Sequence, residues 1–134
     1  MNEKNQKLSL LAEMIALVNA DKVVHEQEYA FIKTIATHLG VSETELETLF
    51  NNTSTPYVPP VPESQRILQF HRLVLLMNID QENHPEEIQR LKEFGLRMGL
   101  SPFATNQVLK VMNNYPNKVI PPEVLIDIFK THYN

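Results

Sequence analysis

The chain has 134 residues, of which 43% are hydrophobic and 21% charged, the composition of one globular domain. It contains no cysteine, which excludes a disulfide scaffold, a thiolate metal site and a cysteine nucleophile. Sixteen acidic residues outnumber twelve basic ones, and no basic stripe interrupts this excess, so we expect no binding to nucleic acid.

The beginning of the chain is charged and then amphipathic, without the apolar core of a secretory signal. No apolar run approaches the roughly 18 residues needed to cross a bilayer. We therefore expect a cytoplasmic protein that does not insert into membranes.

The first helix is predicted over residues 5–19, and its apolar residues cover most of its circumference, which indicates a central, buried position. A second helix is predicted over residues 26–39. Gly40 follows it at the position where helices commonly end in a left-handed conformation. Ser42 then begins a third helix, and Glu45 three residues later completes a capping box.

A proline-rich linker is predicted over residues 52–63, where the chain should be extended and fairly stiff. Helices are predicted again over residues 64–78 and 85–98. Gly99 marks the end of the second of these, and Ser101 begins another helix. The elements therefore recur in the same order on both sides of the linker.

The recurrence reflects an internal repeat, since residues 19–42 and 78–101 align without a gap at an offset of 59 and are identical at seven positions. We expect an all-α fold of about seven helices. Two three-helix repeats, residues 1–51 and 64–115, should be related by a pseudo-two-fold axis between their first helices. A C-terminal helix over residues 121–133 completes this single domain.

The repeated pattern resembles the TerB-like family, which includes the tellurite-resistance protein TerB and a domain of DjlA-type co-chaperones. In the first copy, Asp21 and Glu28 precede a helix that ends in Leu-Gly-Val-Ser. In the second, Asp80 and Glu87 precede Met-Gly-Leu-Ser. The resemblance implies an all-α fold with a clustered acidic surface and a role in metal sensing and stress complexes, often near the membrane. It implies no established catalysis.

One departure from the family concerns the residue after each aspartate. The family commonly has glycine there, whereas this chain has Lys22 and Gln81. A turn with positive φ is costly without glycine. This argues against a metal site that uses the backbone of these loops.

The candidate site residues belong to an Asp-x3-His-x2-Glu motif that occurs once in each repeat. Carboxylates and imidazoles are suitable ligands for zinc, manganese and similar ions, and two copies near one axis would allow a shared ion. The spacing does not fit an EF-hand calcium loop. The predicted metal ligands are Asp21, His25, Glu28, Asp80, His84 and Glu87.

A purely structural interpretation of the same motif is favoured. His25 and His84 occupy helix N-cap positions, and the glutamates three residues later can reach back to the cap and complement the helix dipole. Asp21 and Asp80 can form Asx-turns. Histidine is nevertheless a poor N-cap residue, and its presence in both copies keeps the metal hypothesis open.

Two further predictions concern residues on the first helices of the repeats. Glu13 and Arg72 are repeat equivalents of opposite charge, and they would pair if both lay beside the two-fold axis. His71 is interpreted as a hydrogen-bonded histidine of the core or its rim.

No catalytic motif is evident, and we expect no enzyme and no resident cofactor. The leading hypothesis is an interaction domain that docks a protein partner through its acidic loops, and the family resemblance implies that this partner is membrane-associated. The alternative is a metal-binding protein that uses the two Asp-His-Glu loops. A hydrolase with a two-carboxylate metal centre is the least favoured.

Overall fold

The computed structural model describes residues 2–19, 26–51, 57–79 and 85–132, and the side chains from residue 4 onward. These residues form seven α-helices and two short 3₁₀ turns, and the described part of the chain contains no strand. The predicted all-α fold is thereby confirmed. The helices are α1 (Asn2–Val18), α2 (Glu26–His38), α3 (Glu43–Asn51), α4 (Glu63–Met77), α5 (Pro85–Arg97), α6 (Pro102–Val111) and α7 (Pro122–Thr131).

Helices α1 and α4 pack against each other at the centre of the fold. The apolar residues of α1 lie on nearly all sides of the helix, so every side needs cover from water. The other helices supply that cover, with α2, α3 and α5 packing on α1, and α5 and α7 packing on α4. The central buried side chains are Leu10, Leu11, Met14, Ile15, Leu17, Phe70, Leu73, Val74, Leu76 and Met77.

The predicted helix ends at the two glycines are confirmed. Gly40 has a φ of 78° and Gly99 a φ of 75°, both in the left-handed region. After α2, the amide of Val41 donates to the carbonyl of Ala36 at 2.9 Å. After α5, the amide of Leu100 donates to the carbonyl of Gly95 at 3.0 Å. The same hydrogen-bonded helix stop therefore occurs twice at the repeat offset.

The starts of α3 and α6 also follow the sequence. The Ser42 hydroxyl accepts a hydrogen bond from the Glu45 amide at 3.1 Å, and the Ser42 amide donates to the Glu45 carboxylate at 3.1 Å. This reciprocal pair is the predicted capping box. At α6, the Ser101 hydroxyl accepts from the Ala104 amide at 3.3 Å.

Gly95 lies within α5, where the helix approaches its neighbours closely. A Cβ atom at this position would lie 3.0 Å from Thr105 Cγ2 of α6 and 3.5 Å from Phe70 Cε1 of α4. The equivalent residue in α2 is Ala36, which is buried. Both equivalent positions therefore carry a small residue, and the close approach to Thr105 requires it at Gly95.

Helix α7 makes the second half of the chain, α4 to α7, different from the first half, α1 to α3. It packs on both α4 and α6, whereas α3 packs directly on α1. Leu125 and Phe129 of α7 are buried, and the Phe129 ring meets the Phe70 ring edge to face with centroids 6.1 Å apart. The proposed division into repeats, linker and C-terminal helix, with its pseudo-two-fold axis, remains a prediction.

Replacing Gly40 tests the helix stop. A Cβ atom at Gly40 would meet nothing within 4 Å, so Gly40→Ala changes the backbone energetics without creating a clash. Because alanine disfavours positive φ, we expect the free energy of unfolding to fall by about 1 kcal/mol. Urea denaturation followed by circular dichroism measures this loss. Gly40→Asn is the control and should lose less, since asparagine tolerates the left-handed region; equal stability of all three proteins would contradict the interpretation.

Candidate functional site

Two of the six predicted site residues lie in the described part of the chain. Glu28 is the third residue of α2 and is 1% exposed. Glu87 is the third residue of α5 and is 0% exposed. Asp21, His25, Asp80 and His84 lie outside the described residues.

The burial of Glu28 and Glu87 distinguishes them from an ordinary capping glutamate. Glu45, the capping-box glutamate of α3, has a side chain that is 34% exposed. A buried carboxylate is costly unless it has partners, and both Glu28 and Glu87 do have interaction partners. Each also lies in the first turn of its helix, where the dipole favours negative charge. Equivalent positions of α2 and α5 therefore each bury a glutamate.

The metal hypothesis itself is not tested by this geometry. Within the described residues, no group of three histidine, aspartate or glutamate side chains is arranged to hold an ion. Four of the six predicted ligands fall outside that part of the chain. The metal site therefore stays a prediction.

Glu45 carries a second contact besides its capping bonds. Its carboxylate lies 2.8 Å from the Lys4 ammonium. The hydrogen bond from Lys4 and those from Ser42 lower the pKa of Glu45 from its usual 4.5 to about 2. Such a shift stabilises the folded chain above pH 4.5, and the contribution is lost as the pH falls towards 2. The contact ties the beginning of α1 to the beginning of α3.

Glu13 forms an ion pair that joins the two halves, and its partner differs from the prediction. The Arg97 guanidinium of α5 donates to both carboxylate oxygens of Glu13, with Nη1 at 3.2 Å from Oε2 and Nη2 in direct contact with Oε1. The predicted pairing of Glu13 with Arg72 is wrong. Arg72 lies instead on the face of α4 that lines a cleft towards α1.

Tyr57 of the linker packs beside this ion pair. The ring of Tyr57 meets the ring of Phe94 edge to face with centroids 4.8 Å apart, and the Arg97 guanidinium lies 5.7 Å from the same Phe94 centroid. The Tyr57 hydroxyl donates to Gln69 Oε1 at 2.5 Å. Burial, and to a smaller extent the nearby Glu13 carboxylate, raises the pKa of Tyr57. Sequence reasoning missed this cluster, although an aromatic residue in a proline-rich linker was an available signal.

The segment between α6 and α7 is anchored to α4. His71 Nε2 lies 3.0 Å from the carbonyl oxygen of Ile120, which confirms the prediction of a hydrogen-bonded histidine at the rim of the core. Asn78, buried at the end of α4, donates to the carbonyl of Lys118 at 3.3 Å. These contacts hold the chain in place as it enters α7.

Comparison with known proteins finds a family match for the first 50 residues of the chain. Residues 1–50 match the family described as tellurite resistance protein TerB. The predicted TerB-like resemblance is confirmed. No curated protein and no solved structure matches the chain. The TerB match covers α1, α2 and most of α3, so it ends before the linker.

The described helices also bear on membrane insertion. None of them is both long enough and apolar enough to span a bilayer.

The Glu13–Arg97 pair gives a test of how the halves are joined. Glu13 is buried and Arg97 is half-exposed, so Arg97→Ala strands a carboxylate away from water and also removes the contact with Phe94. We expect the free energy of unfolding to fall by about 1–3 kcal/mol. Chemical denaturation measures the loss.

The control is Lys92→Ala, which removes the same charge from an exposed position of α5 and should change stability little. In the double variant Glu13→Gln/Arg97→Ala, the loss should be smaller than the sum of the single losses, because no charge is left stranded. Strict additivity of the two changes would show that the ion pair contributes nothing.

Proposed function

We propose that this chain is a non-enzymatic, cytoplasmic TerB-like interaction domain that docks a protein partner through its acidic loop surface. We further propose that the partner belongs to a metal or tellurite stress response. The stress response is suggested by the description of the family that matches residues 1–50. The docking mechanism is suggested by where the negative charge lies.

The observation that carries the proposal is that the TerB match and the charge excess coincide. Residues 1–50 contain eight acidic residues and four lysines, a net charge of −4, which equals that of the whole chain. The remaining residues are balanced. A negative potential confined to one half attracts and orients a basic partner, and this increases the rate of association more than the final affinity.

Part of this charge is neutralised within the chain, and part is available to a partner. Lys4 pairs with Glu45, and Lys33 pairs with Glu43 at 3.4 Å. Glu26 and Glu47 are exposed, and no cation of the described residues pairs with either. Glu26 begins α2, directly after the loop that contains Asp21. The exposed charge of α2 is therefore continuous in sequence with that loop.

A charge-reversal experiment tests the docking proposal. The tagged chain is purified from its native cells, its partner is identified, and the affinity is measured with purified components. In the variant Asp21→Lys/Asp80→Lys we expect at least about tenfold weaker binding, because like charges then face each other. Binding of the unaltered chain should also weaken as salt is raised from low to physiological concentration.

The matched control is Glu123→Lys, which reverses an exposed charge on α7, far in sequence from both loops. It should leave the affinity within about twofold. Unchanged binding by the double loop variant would contradict the proposal, as would an equal loss in the Glu123→Lys control.

A metal-binding function is the second candidate, and the burial of Glu28 and Glu87 favours it. Both are fully buried in the first turn of equivalent helices, immediately after loops that carry an aspartate and a histidine. Carboxylates and imidazoles together provide a suitable ligand set for a divalent ion such as zinc or manganese. A site of this kind would be compatible with docking, since a bound ion would reshape the same loops.

Thermal melting of metal-stripped protein tests the second candidate. Zn²⁺, Mn²⁺ and Ca²⁺ are titrated separately, and an ion that binds the folded chain must raise the melting temperature by mass action. We expect a rise with Zn²⁺ or Mn²⁺ that His84→Ala abolishes. His38→Ala, at the exposed end of α2, is the control and should retain the rise. The absence of any rise, or one that survives His84→Ala, would dismiss these loops as a metal site.

A further inference from the structure

A cleft of about 360 Å³ lies between α1 and α4, and the end of α2 borders it. Its volume is within the range of small-molecule sites. It is distinct from the predicted loops, since all its lining residues belong to α1, α4 and Leu39 after α2. Its chemistry differs from that of the chain as a whole.

The charged side chains that line the cleft are both cationic. Lys7 lines it from α1 and Arg72 from α4, and no carboxylate lines it. Within the described residues, neither cation forms an ion pair. Acidic residues outnumber basic ones in this chain. A cleft that is lined by two half-buried cations and no carboxylate therefore differs in charge from the chain as a whole.

Amide side chains extend the polar part of the cleft. Gln65 and Gln69 lie one helical turn apart on α4, and Arg72 follows in the next turn, so the three share one face. Gln69 Oε1 already accepts the hydrogen bond of the Tyr57 hydroxyl. The Gln69 Nε2 group is therefore left as a donor. The polar part of the cleft thus offers mainly N–H donors, which suit a negatively charged oxygen group.

The rest of the cleft is apolar. Leu10 forms part of its floor and is 1% exposed, while Leu68, between the two glutamines on α4, is 44% exposed. Leu39 closes the side next to α2. An exposed leucine is ordinary by itself, but here it adjoins cations and amide donors. Convergent polar groups beside an apolar surface are the usual composition of a ligand site.

We propose that this cleft binds a small organic anion, namely a carboxylate or phosphate monoester joined to a short apolar chain. Arg72 and Lys7 hold the charged group, with Gln65 and Gln69 as further donors. Leu10, Leu39 and Leu68 cover the apolar part. Both central helices contact such a ligand, so binding stabilises the α1–α4 interface and raises the melting temperature.

The test titrates octanoate and hexyl phosphate into the isotopically labelled chain and follows amide shifts by NMR. We expect saturable binding of at least one of them, with shifts centred on residues 6–10 and 65–72, and the tighter ligand identifies the charged group. Arg72→Gln should weaken binding by about tenfold or more, because a charge-assisted hydrogen bond is lost. Arg72→Lys should restore part of it.

Matched controls separate the charged and apolar contributions. Lys110→Gln removes a cation from an exposed position on α6 and should leave the affinity unchanged. Binding of 1-octanol as tight as that of octanoate would overturn the proposal, because the cations would then be irrelevant. Binding of inorganic phosphate as tight as that of hexyl phosphate would overturn the apolar part. Failure of both organic anions to bind, with the NMR spectrum of a folded protein, would overturn the proposal entirely.

Discussion

The contact between α1 and α4 is the constraint on which the rest of the structure depends. Both helices are apolar on most sides, so neither is stable with a face in water, and pairing them covers only one side of each. The remaining sides require further helices. This is why α2, α3, α5 and α7 surround the pair, and why one three-helix repeat of about 50 residues would bury too little surface to fold alone. Gly95 reflects the same close packing, because a Cβ atom there would crowd Thr105 Cγ2 of α6 at 3.0 Å and would already be in van der Waals contact with Phe70 of α4.

The second half is completed differently from the first, and this difference follows from α7. In the first half α3 packs directly on α1, whereas in the second α7 packs on α4 and on α6. Polar contacts cross the fold with a similar lack of symmetry. Glu13 pairs with Arg97 of α5. At the repeat offset of 59, Arg72 is the equivalent of Glu13 and His38 is the equivalent of Arg97, and these two residues do not form a corresponding pair. Equivalent backbone positions therefore carry different side-chain chemistry, so each half presents a different surface to partners.

Features that depend on neighbours along the chain could be predicted from the sequence, and features that depend on distant contacts could not. The stops at Gly40 and Gly99 and the capping box of Ser42 and Glu45 need only local backbone geometry, and all were predicted. The Glu13–Arg97 pair joins residues 84 positions apart, and it depends on the rotation of α1 and α5 about their axes. The sequence does not specify that rotation closely enough to say which side chain of α5 meets Glu13. The prediction of a Glu13–Arg72 pair failed for this reason. It assumed that repeat equivalence placed both residues at the axis, whereas Arg72 shares its helix face with Gln65 and Gln69 and lines the cleft.

The distribution of charge connects the fold to the two proposed binding functions. The acidic excess lies in residues 1–50, which match TerB, and Glu26 at the start of α2 is exposed. The cleft between α1 and α4 presents Lys7 and Arg72 without a carboxylate. An organic anion would be attracted by the cleft and repelled by the proposed acidic surface. A basic protein partner would be attracted by that surface and repelled by the cleft. Neither ligand would therefore compete for the other's site. The cleft is lined by the two helices that hold the halves together, and α1 also packs on α2, whose first residue, Glu26, follows Asp21 by five positions. A small anion bound there would therefore stabilise the helices that support the proposed docking surface, and a partner that requires this arrangement would bind the loaded chain more tightly by the reciprocity of linked equilibria.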